Sequence, residues 1–329
     1  MPAASHKGGA LRSGVGYLAL FILLRGSDTT LLKLLQRAGE ATHAAGGPEA
    51  ISFCNVFFFS SLITGLALLL IDREGVQRQL PSLNPEDRWL LALQSFSGFF
   101  LGPMCFYLAL DRLSVVEQTL LFSLTVPTTS LLARALIREA LPRSFALTCA
   151  MISCGLLLAN HTKLGMKMVV PVDFRGVLWA LLGVMAFGIS AVINRLAVRR
   201  GLGIGFTVGI NSLAAAAAFA VIALVLFGPS HFLYLKSWWV LGVIGGYALI
   251  ITLGSQWSLM KSYVQLPVAR VSVWASLTIV IALVEARLLL EEKLSGLSLV
   301  GAALILVAVG LNTLASTSDN QADRLQRAI

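Results

Sequence analysis

Two matching stretches of sequence decide the fold of this chain. Residues 113–141 read LSVVEQTLLFSLTVPTTSLLARALIREAL, and residues 266–294 read LPVARVSVWASLTIVIALVEARLLLEEKL. A shift of 153 positions superposes them and places Glu139 on Glu292. Each stretch reads as a short connection, a long apolar run, an arginine and a closing glutamate. The chain therefore contains an internal repeat.

The sequence around these stretches is almost continuously apolar. Of the 329 residues, 57% are hydrophobic and 12% are charged, and the mean hydropathy is +0.83. A soluble domain carries about 25% charged residues, so lipid must surround most of this surface. A membrane-spanning helix needs about 20 apolar residues. Ten segments of that size are present: 14–36, 50–71, 88–110, 114–137, 144–160, 175–196, 204–227, 237–260, 265–288 and 296–315.

A second match shows how the halves are related. A shift of 162 positions places Gly26 on Gly188 and Lys33 on Arg195. The repeats then cover 1–160 and 175–316, joined by a polar linker at 161–174 and followed by a polar tail at 317–329, which we expect to be disordered. Five helices per half is an odd number, so the second half enters the membrane from the opposite side. We predict an all-α polytopic membrane protein with ten transmembrane helices in two inverted five-helix repeats.

The basic residues predict the orientation. The net charge of +9 comes mostly from Lys and Arg at the ends of apolar runs, which fits anionic lipid rather than nucleic acid. With the N-terminus in the cytoplasm, twelve Lys and Arg fall in inside segments and seven in outside segments. We therefore expect a multi-pass protein of the plasma membrane, the inner membrane in a bacterium, with both termini cytoplasmic.

The first repeat resembles a known family. Ala109-Leu110 at a helix end, Pro127 in mid-span and Glu139 near the close match the EamA repeat of the drug/metabolite transporter superfamily. The second copy keeps Glu292 but has Val280 in place of the proline. The resemblance implies ten helices, proton-linked or passive movement of amino acids, metabolites or drugs, and a cavity between the first four helices of each half.

Charged residues inside apolar segments are the first candidates for a binding site, because each costs several kcal/mol in lipid. Arg25 and Asp28 lie three apart on one face of the first segment, as a substrate anchor with a titratable carboxylate or as a self-neutralising structural pair. Glu117 and Arg270 are repeat mates of opposite sign. We expect them at opposite mouths of the pathway, with snorkelling to the interface as the alternative.

Aromatic and amide side chains complete the predicted pocket, which needs apolar walls and a few oriented polar groups. The predicted pocket residues are Asn55, Gln94, Tyr107, Gln256, Trp257 and Trp274. Structural or gating roles are predicted for Pro127, Glu139 and Glu292. The proline can bend its helix, either as a moving gate or as a static feature.

These features favour a secondary transporter that exports or exchanges a small metabolite, amino acid or drug-like solute by alternating access, with protons moving through Asp28 or Glu117. The alternative is an exchanger of anionic or phosphorylated metabolites, such as sugar phosphates or nucleotide sugars. An intramembrane lipid-modifying enzyme is a remote alternative, because the four His lie in loops and tails. No enzymatic activity, cofactor or metal is expected, and the sequence does not decide between a monomer and a homodimer.

Overall fold

The computed structural model describes residues 3–44, 52–139, 141, 144–165, 173–230, 232, 238–266, 271 and 274–326, of which 3–12, 159–165, 238–240, 263 and 312–326 are described by their backbone alone. All regular structure in this part of the chain is helical, as predicted. Six helices are long and apolar enough to cross a membrane: Phe53–Ile71, Pro85–Arg112, Val115–Ile137, Phe174–Arg199, Ile204–Phe227 and Leu241–Ser262. Two shorter apolar helices cover Phe145–Leu158 and Gly296–Leu311.

The helices follow one another through short connections. They are α1 (Ala3–Ala44), α2 (Phe53–Ile71), α3 (Arg73–Gln79), α4 (Pro85–Gln94), α5 (Gly102–Arg112), α6 (Val115–Phe122), α7 (Thr125–Ile137), α8 (Phe145–Gly165), α9 (Phe174–Arg199), α10 (Ile204–Phe227), α11 (Trp238–Gly246), α12 (Gly254–Gln265), α13 (Thr278–Leu289) and α14 (Gly296–Gln326). Two π-helical segments, Ser95–Leu101 and Tyr247–Leu253, join α4 to α5 and α11 to α12.

Two helices are longer than the sequence predicted. Helix α1 has 42 residues and extends on both sides of the predicted segment 14–36. Helix α14 continues to Gln326, so residues 317–326, which we expected to be disordered, are helical here. The polar extension after residue 316 contains neither Gly nor Pro, the two residues that most strongly oppose a helix.

The chain divides into two compact units, and each takes helices from both halves of the sequence. Unit 1 comprises Met1–Thr30, Arg112–Val177 and Ser255–Ile329. Unit 2 comprises Leu31–Asp111 and Leu178–Gly254. Helix α1 contributes its first part to unit 1 and the remainder to unit 2.

In unit 2, helix α10 lies between α2 and the π-helical segment after α4. A Cβ atom added at Gly65 would lie 2.8 Å from the side chain of Leu213, and one added at Gly209 would lie 2.6 Å from that of Leu69. These two contacts make α2 antiparallel to α10. The ring of Phe219 lies 5.3 Å from that of Phe57.

The π-helical segment of unit 2 runs in the same direction as α10. Ser95 donates a hydrogen bond of 2.8 Å to Asn211, and the ring centroids of Phe100 and Phe219 lie 5.1 Å apart. From the first contact to the second, the residue number rises in both helices, so the helices are parallel.

In unit 1, helix α1 lies along the segment that ends in α13. Leu18, Phe21 and Ile22 form a buried apolar cluster with Leu266 and Val271. A Cβ atom at Gly14 would meet Gln265 and Leu266, and one at Gly26 would meet Thr278 and Ile281. From the first contact to the second, the residue number rises in both elements, so α1 and this segment are parallel.

The repeat seen in the sequence has counterparts in the backbone. Helix α6 is separated from α7 by a turn at Ser123–Leu124, and the equivalent turn precedes α13 at Ser276–Leu277. The N–H groups of Leu124 and Leu277 each donate to the carbonyl three residues earlier, at 3.0 Å in both copies. The π-helical segments also recur, at a shift of 152.

The ends of α7 and α13 match as well. Arg138 and Glu291, which are repeat mates, both adopt left-handed conformations, with φ of 54° and 56°. The following N–H groups, of Glu139 and Glu292, donate to Ala133 and Ala286 at 3.2 and 3.1 Å. Each helix thus ends in the same hydrogen-bonded closure of seven residues, with a left-handed residue before the last.

Pro127 lies just after the turn in the first copy, in the first turn of α7, where a missing N–H is tolerated. Val280 occupies this position in the second copy, and the same turn forms there. The turn therefore does not depend on the proline. Both copies have Ser at the turn, and the Ser123 hydroxyl donates to Leu120 O at 2.5 Å, a contact that bends helices.

Candidate functional site

The centre of the candidate site is an ion pair on α1. Arg25 Nη1 lies 2.5 Å from Asp28 Oδ2, so the two side chains share one face of the helix as the sequence predicted. The Asp28 side chain is 13% exposed and that of Arg25 is 49% exposed. The pair neutralises both charges but leaves part of the guanidinium accessible.

A glycine next to this pair brings α1 against α13. A Cβ atom at Gly26 would lie 2.5 Å from Ile281 Cβ and 3.1 Å from Thr278 O, so only glycine allows this approach. The adjacent Ser27 Oγ then lies 2.6 Å from Glu285 Oε1. The close approach of the two backbones therefore places a second carboxylate against Ser27, which lies between Arg25 and Asp28 in the sequence.

Glu285 is the site residue that the sequence reasoning missed. It lies within the ninth predicted segment, 265–288, three positions before its end, so the rule that selected Arg25 and Asp28 would also have selected it. Its Oε2 atom is shielded from solvent and has no hydrogen-bond partner among the described residues. Ser27, its partner through Oε1, is 258 positions away in sequence.

Two glutamates lie at the N-terminus of α6. Glu117 forms a capping box with Ser114: the Ser114 N–H donates to Glu117 Oε2 at 3.1 Å, and the Glu117 N–H donates to Ser114 Oγ at 3.2 Å. Glu292 accepts from the N–H groups of Val115 and Val116 at 2.8 and 3.1 Å. Carboxylates are favoured here because the helix dipole and unpaired N–H groups make this end positive.

The other predicted residues of unit 1 are dispersed. Trp257 lies beneath Lys261, whose Nζ is 4.7 Å from the ring centroid. Trp274 is 53% exposed, Gln256 is half-buried and Pro127 is buried. Glu139 follows the left-handed end of α7. Arg270 lies outside the described residues, so its predicted position at a pathway mouth stays a prediction.

Three predicted pocket residues belong to unit 2. Asn55 and Gln94 are buried, at 0% and 3% exposure. The N–H of Asn55 donates to Ser52 Oγ at the start of α2. The ring of Tyr107 lies 6.0 Å from that of Phe53. These residues are therefore assigned to a different unit from Arg25 and Asp28.

Two further polar residues of unit 2 were not predicted as site residues. Lys33 donates through Nζ to the carbonyl of Leu110 at the end of α5, where the helix dipole favours a cation. Asn211 is fully buried and accepts from Ser95. Lys33 and Asn211 both lie inside apolar segments, as Glu285 does, and this position could have identified them as candidates.

Ion pairs also link the connections at the helix ends. In unit 2, Arg200 contacts Glu86 at 2.6 Å and Asp87 at 3.0 Å. In unit 1, Arg112 contacts Asp173 at 3.1 Å. This hydrogen bond from Arg112 lowers the pKa of Asp173 below its ordinary value. No group of three metal-ligating side chains occurs among the described residues.

Comparison with known proteins agrees with this architecture. The sequence profile of the EamA-like transporter family matches the chain twice, over residues 41–161 and 174–314. A protein described as the uncharacterized transporter sll1164, from Synechocystis sp., is 24% identical over 321 residues, which cover 94% of this chain and 90% of that protein.

A solved crystal structure has a similar fold. It superposes with a TM-score of 0.52 at 18% sequence identity and covers 93% of this chain and 97% of its own. At this identity the likeness concerns the fold alone. The two profile matches together span most of the chain, so the chain belongs to the EamA-like transporter family.

Proposed function

We propose that this protein is a secondary transporter that exports a small polar or amphipathic metabolite by alternating access. The observation that carries the proposal is that Arg25, Asp28 and Glu285 lie inside two of the predicted membrane segments, with Arg25 paired to Asp28 and Glu285 in contact with Ser27 between them in the sequence. Ionisable groups are expensive in a membrane and are retained where they serve a pathway. Because the chain belongs to a transporter family, we assign these charged residues to the binding of a transported solute.

Helix directions within each unit support ten successive crossings. If each predicted segment reverses the chain, odd-numbered segments share one direction. The first and ninth segments are parallel in unit 1, and the third and seventh are parallel in unit 2. The second and seventh are antiparallel. All three relations are the ones that alternate crossing requires.

Contacts between connections support the same topology. Gln79 accepts a hydrogen bond from the N–H of Gly203, and both lie in connections assigned to the cytoplasmic side. Arg112 pairs with Asp173 in connections assigned to the outer side. With the N-terminus in the cytoplasm, we infer that both termini are cytoplasmic and that the protein resides in the plasma membrane.

Alternating access is supported by the repeated backbone devices. The turns at Ser123 and Ser276 and the two π-helical segments give each half the same local bends. Two similar halves that exchange conformations open a central site to one side and then to the other. The repeated turns and π-helical segments are the candidate places for the backbone change that such an exchange requires.

A second candidate is exchange of phosphorylated or other anionic metabolites. The half-exposed guanidinium of Arg25 favours it, because Arg is well suited to phosphate. We rank it second because Asp28 already neutralises Arg25. A thermal-shift screen that compares phosphate esters with zwitterionic amino acids separates the two: stabilisation by phosphate esters alone would reverse the ranking.

The transport proposal is tested by flux into proteoliposomes. A labelled panel of amino acids, amines and phosphate esters should contain at least one solute with saturable flux, and Asp28→Asn should reduce that flux about tenfold or more, equivalent to about 1.4 kcal/mol. Glu74→Gln, which removes an exposed carboxylate on α3, is the matched control and should leave flux unchanged. Absence of saturable flux for the whole panel would refute the proposal.

A further inference from the structure

The last turns of α7 and α13 expose the same positions in both copies of the repeat. The positions that lie three or four residues apart and are exposed in both copies are Leu131 with Val284, Arg134 with Arg287, Ala135 with Leu288, and Arg138 with Glu291. This spacing places each set along one side of its helix. We call the two sets the first and the second stripe. Both belong to unit 1.

The apolar members of the stripes show what covers this side of the helices. Leu131 is 51% exposed and Leu288 is 71% exposed, although both lie inside predicted membrane segments. Leu136 and Leu289 flank the stripes and are exposed as well. Contact of these side chains with water would be unfavourable, whereas lipid solvates them. The stripes therefore face the acyl chains of the bilayer.

An arginine interrupts each apolar stripe in the last turn of its helix, at Arg134 and Arg287. Neither makes a hydrogen bond or ion pair with another described residue. Both retain their charge, because a guanidinium does not lose its proton in proteins. They lie about 3–5 Å before the helix ends, so their side chains reach the headgroup level by snorkelling. The anion at that level is lipid phosphate, which arginine binds with two parallel hydrogen bonds.

We propose that Arg134 and Arg287 each bind the phosphate of a phospholipid, in two sites related by the internal repeat. The ends of the stripes give the two sites different headgroup preferences. Arg138 adds a second exposed cation to the first stripe, whereas Glu291 offsets Arg287 in the second. The first site therefore prefers a lipid with a net negative headgroup, and the second accepts a zwitterionic one. This inference is independent of the transported solute.

Native mass spectrometry of the full-length protein in detergent tests the two sites, with phosphatidylglycerol as the anionic lipid and phosphatidylethanolamine as the zwitterionic one. Arg134→Leu and Arg287→Leu extend the apolar stripes, so both variants should fold. Each should weaken the binding of one lipid about fivefold, and the double variant should weaken two. Arg78→Gln, which removes an exposed arginine on α3, is the control and should change neither. Unchanged lipid binding in the double variant overturns the proposal.

The charge difference is tested with the same two lipids. Arg138→Gln should reduce the preference of the first site for phosphatidylglycerol about threefold, and Glu291→Gln should strengthen phosphatidylglycerol binding at the second by a similar factor. If neither variant changes the preference, the assignment of headgroups is wrong.

The lipid source is tested by competition with glycerol phosphate, which has the phosphate without acyl chains. It should leave the lipid bound at equal concentration. Displacement would place the arginines beside a water-filled pathway, and a dimer that dissociates in the double variant would place them against a second copy. Either result overturns the proposal.

Discussion

Glu292 ties the end of α13 to the start of α6, because both of its carboxylate oxygens accept main-chain N–H groups. Glu292→Gln replaces one acceptor with an NH₂ group that faces another donor. We expect it to lower the free energy of unfolding by about 1–2 kcal/mol. The neighbouring, exposed Glu291→Gln removes the same charge and should have little effect. Equal thermal unfolding of the two variants would contradict this role.

Two glycines of α1 give a matched test of the contact that creates the site. Gly26→Ala forces a methyl group against Ile281 and should destabilise the protein by about 1–3 kcal/mol and reduce flux. Gly16→Ala has no neighbour within 4 Å and should be neutral or slightly stabilising. Thermal unfolding of the two variants tests this difference, and equal melting temperatures would contradict the close contact at Gly26.

The pair of Arg112 and Asp173 predicts an acid-sensitive contribution to stability. The folded-state pKa of Asp173 is lowered, chiefly by the hydrogen bond from Arg112, so the folded form holds its proton less tightly than the unfolded chain. The contribution is therefore present above about pH 4 and is lost as the pH falls further. The melting temperature of wild type should exceed that of Asp173→Asn above that pH, and the gap should close below it. A gap that persists at lower pH would contradict this assignment.

At the scale of helices, the turn before α13 should accept a proline. Val280 lies in the first turn of α13 and is the repeat mate of Pro127, so Val280→Pro loses one hydrogen bond, to Leu277 O, at a cost of about 1 kcal/mol. Leu283→Pro, one turn later, should cost about 3 kcal/mol or more. Melting temperatures of the two variants test this difference, and similar values would show that the two copies differ locally.

The same element shows where sequence reasoning succeeded and failed. The repeat and the apolar runs were predictable, because hydrophobic length and spacing are local properties. The cause of the helix turn was not predictable. The sequence interpretation assigned the bend to Pro127, whereas the tripeptide Ser-Leu-Thr, at 123–125 and 276–278, is the feature that occurs at the turn in both copies. Glu285 met the same criterion as Asp28, but its contact with Ser27, 258 positions away, could not be predicted from the sequence.

For the whole molecule, the topology can be tested with accessible reporters in the intact protein. Reporters at Arg78 and Gly201 should label from the same side, because Gln79 bonds to Gly203 and Arg200 bonds to Glu86. A reporter at Lys293 should label from the other side if the halves are inverted. If reporters at Gly201 and Lys293 label from the same side, the prediction of inverted repeats is wrong, and the proposal of alternating access fails with it.

The assignment of helices to units is what the sequence could not supply. The repeats suggest two halves of five consecutive helices, yet each compact unit combines helices from both. This exchange depends on contacts such as Gly14 with Leu266 and Gly176 with Leu113, which lie far apart in the chain. The glycines are visible in the sequence, but the residues that pack against them are known only from the structure.

The π-helical segment Ser95–Leu101 sets the direction of every side chain that follows it in α5. A π turn accommodates one residue more than an α turn, and one residue corresponds to about 100° of rotation around the helix axis. Deleting a single residue here would let the helix become regular and would turn Tyr107 away from Phe53 and Phe57. Length changes of one residue in this segment are thus a route by which related proteins could re-aim an entire helix face without altering any of its amino acids.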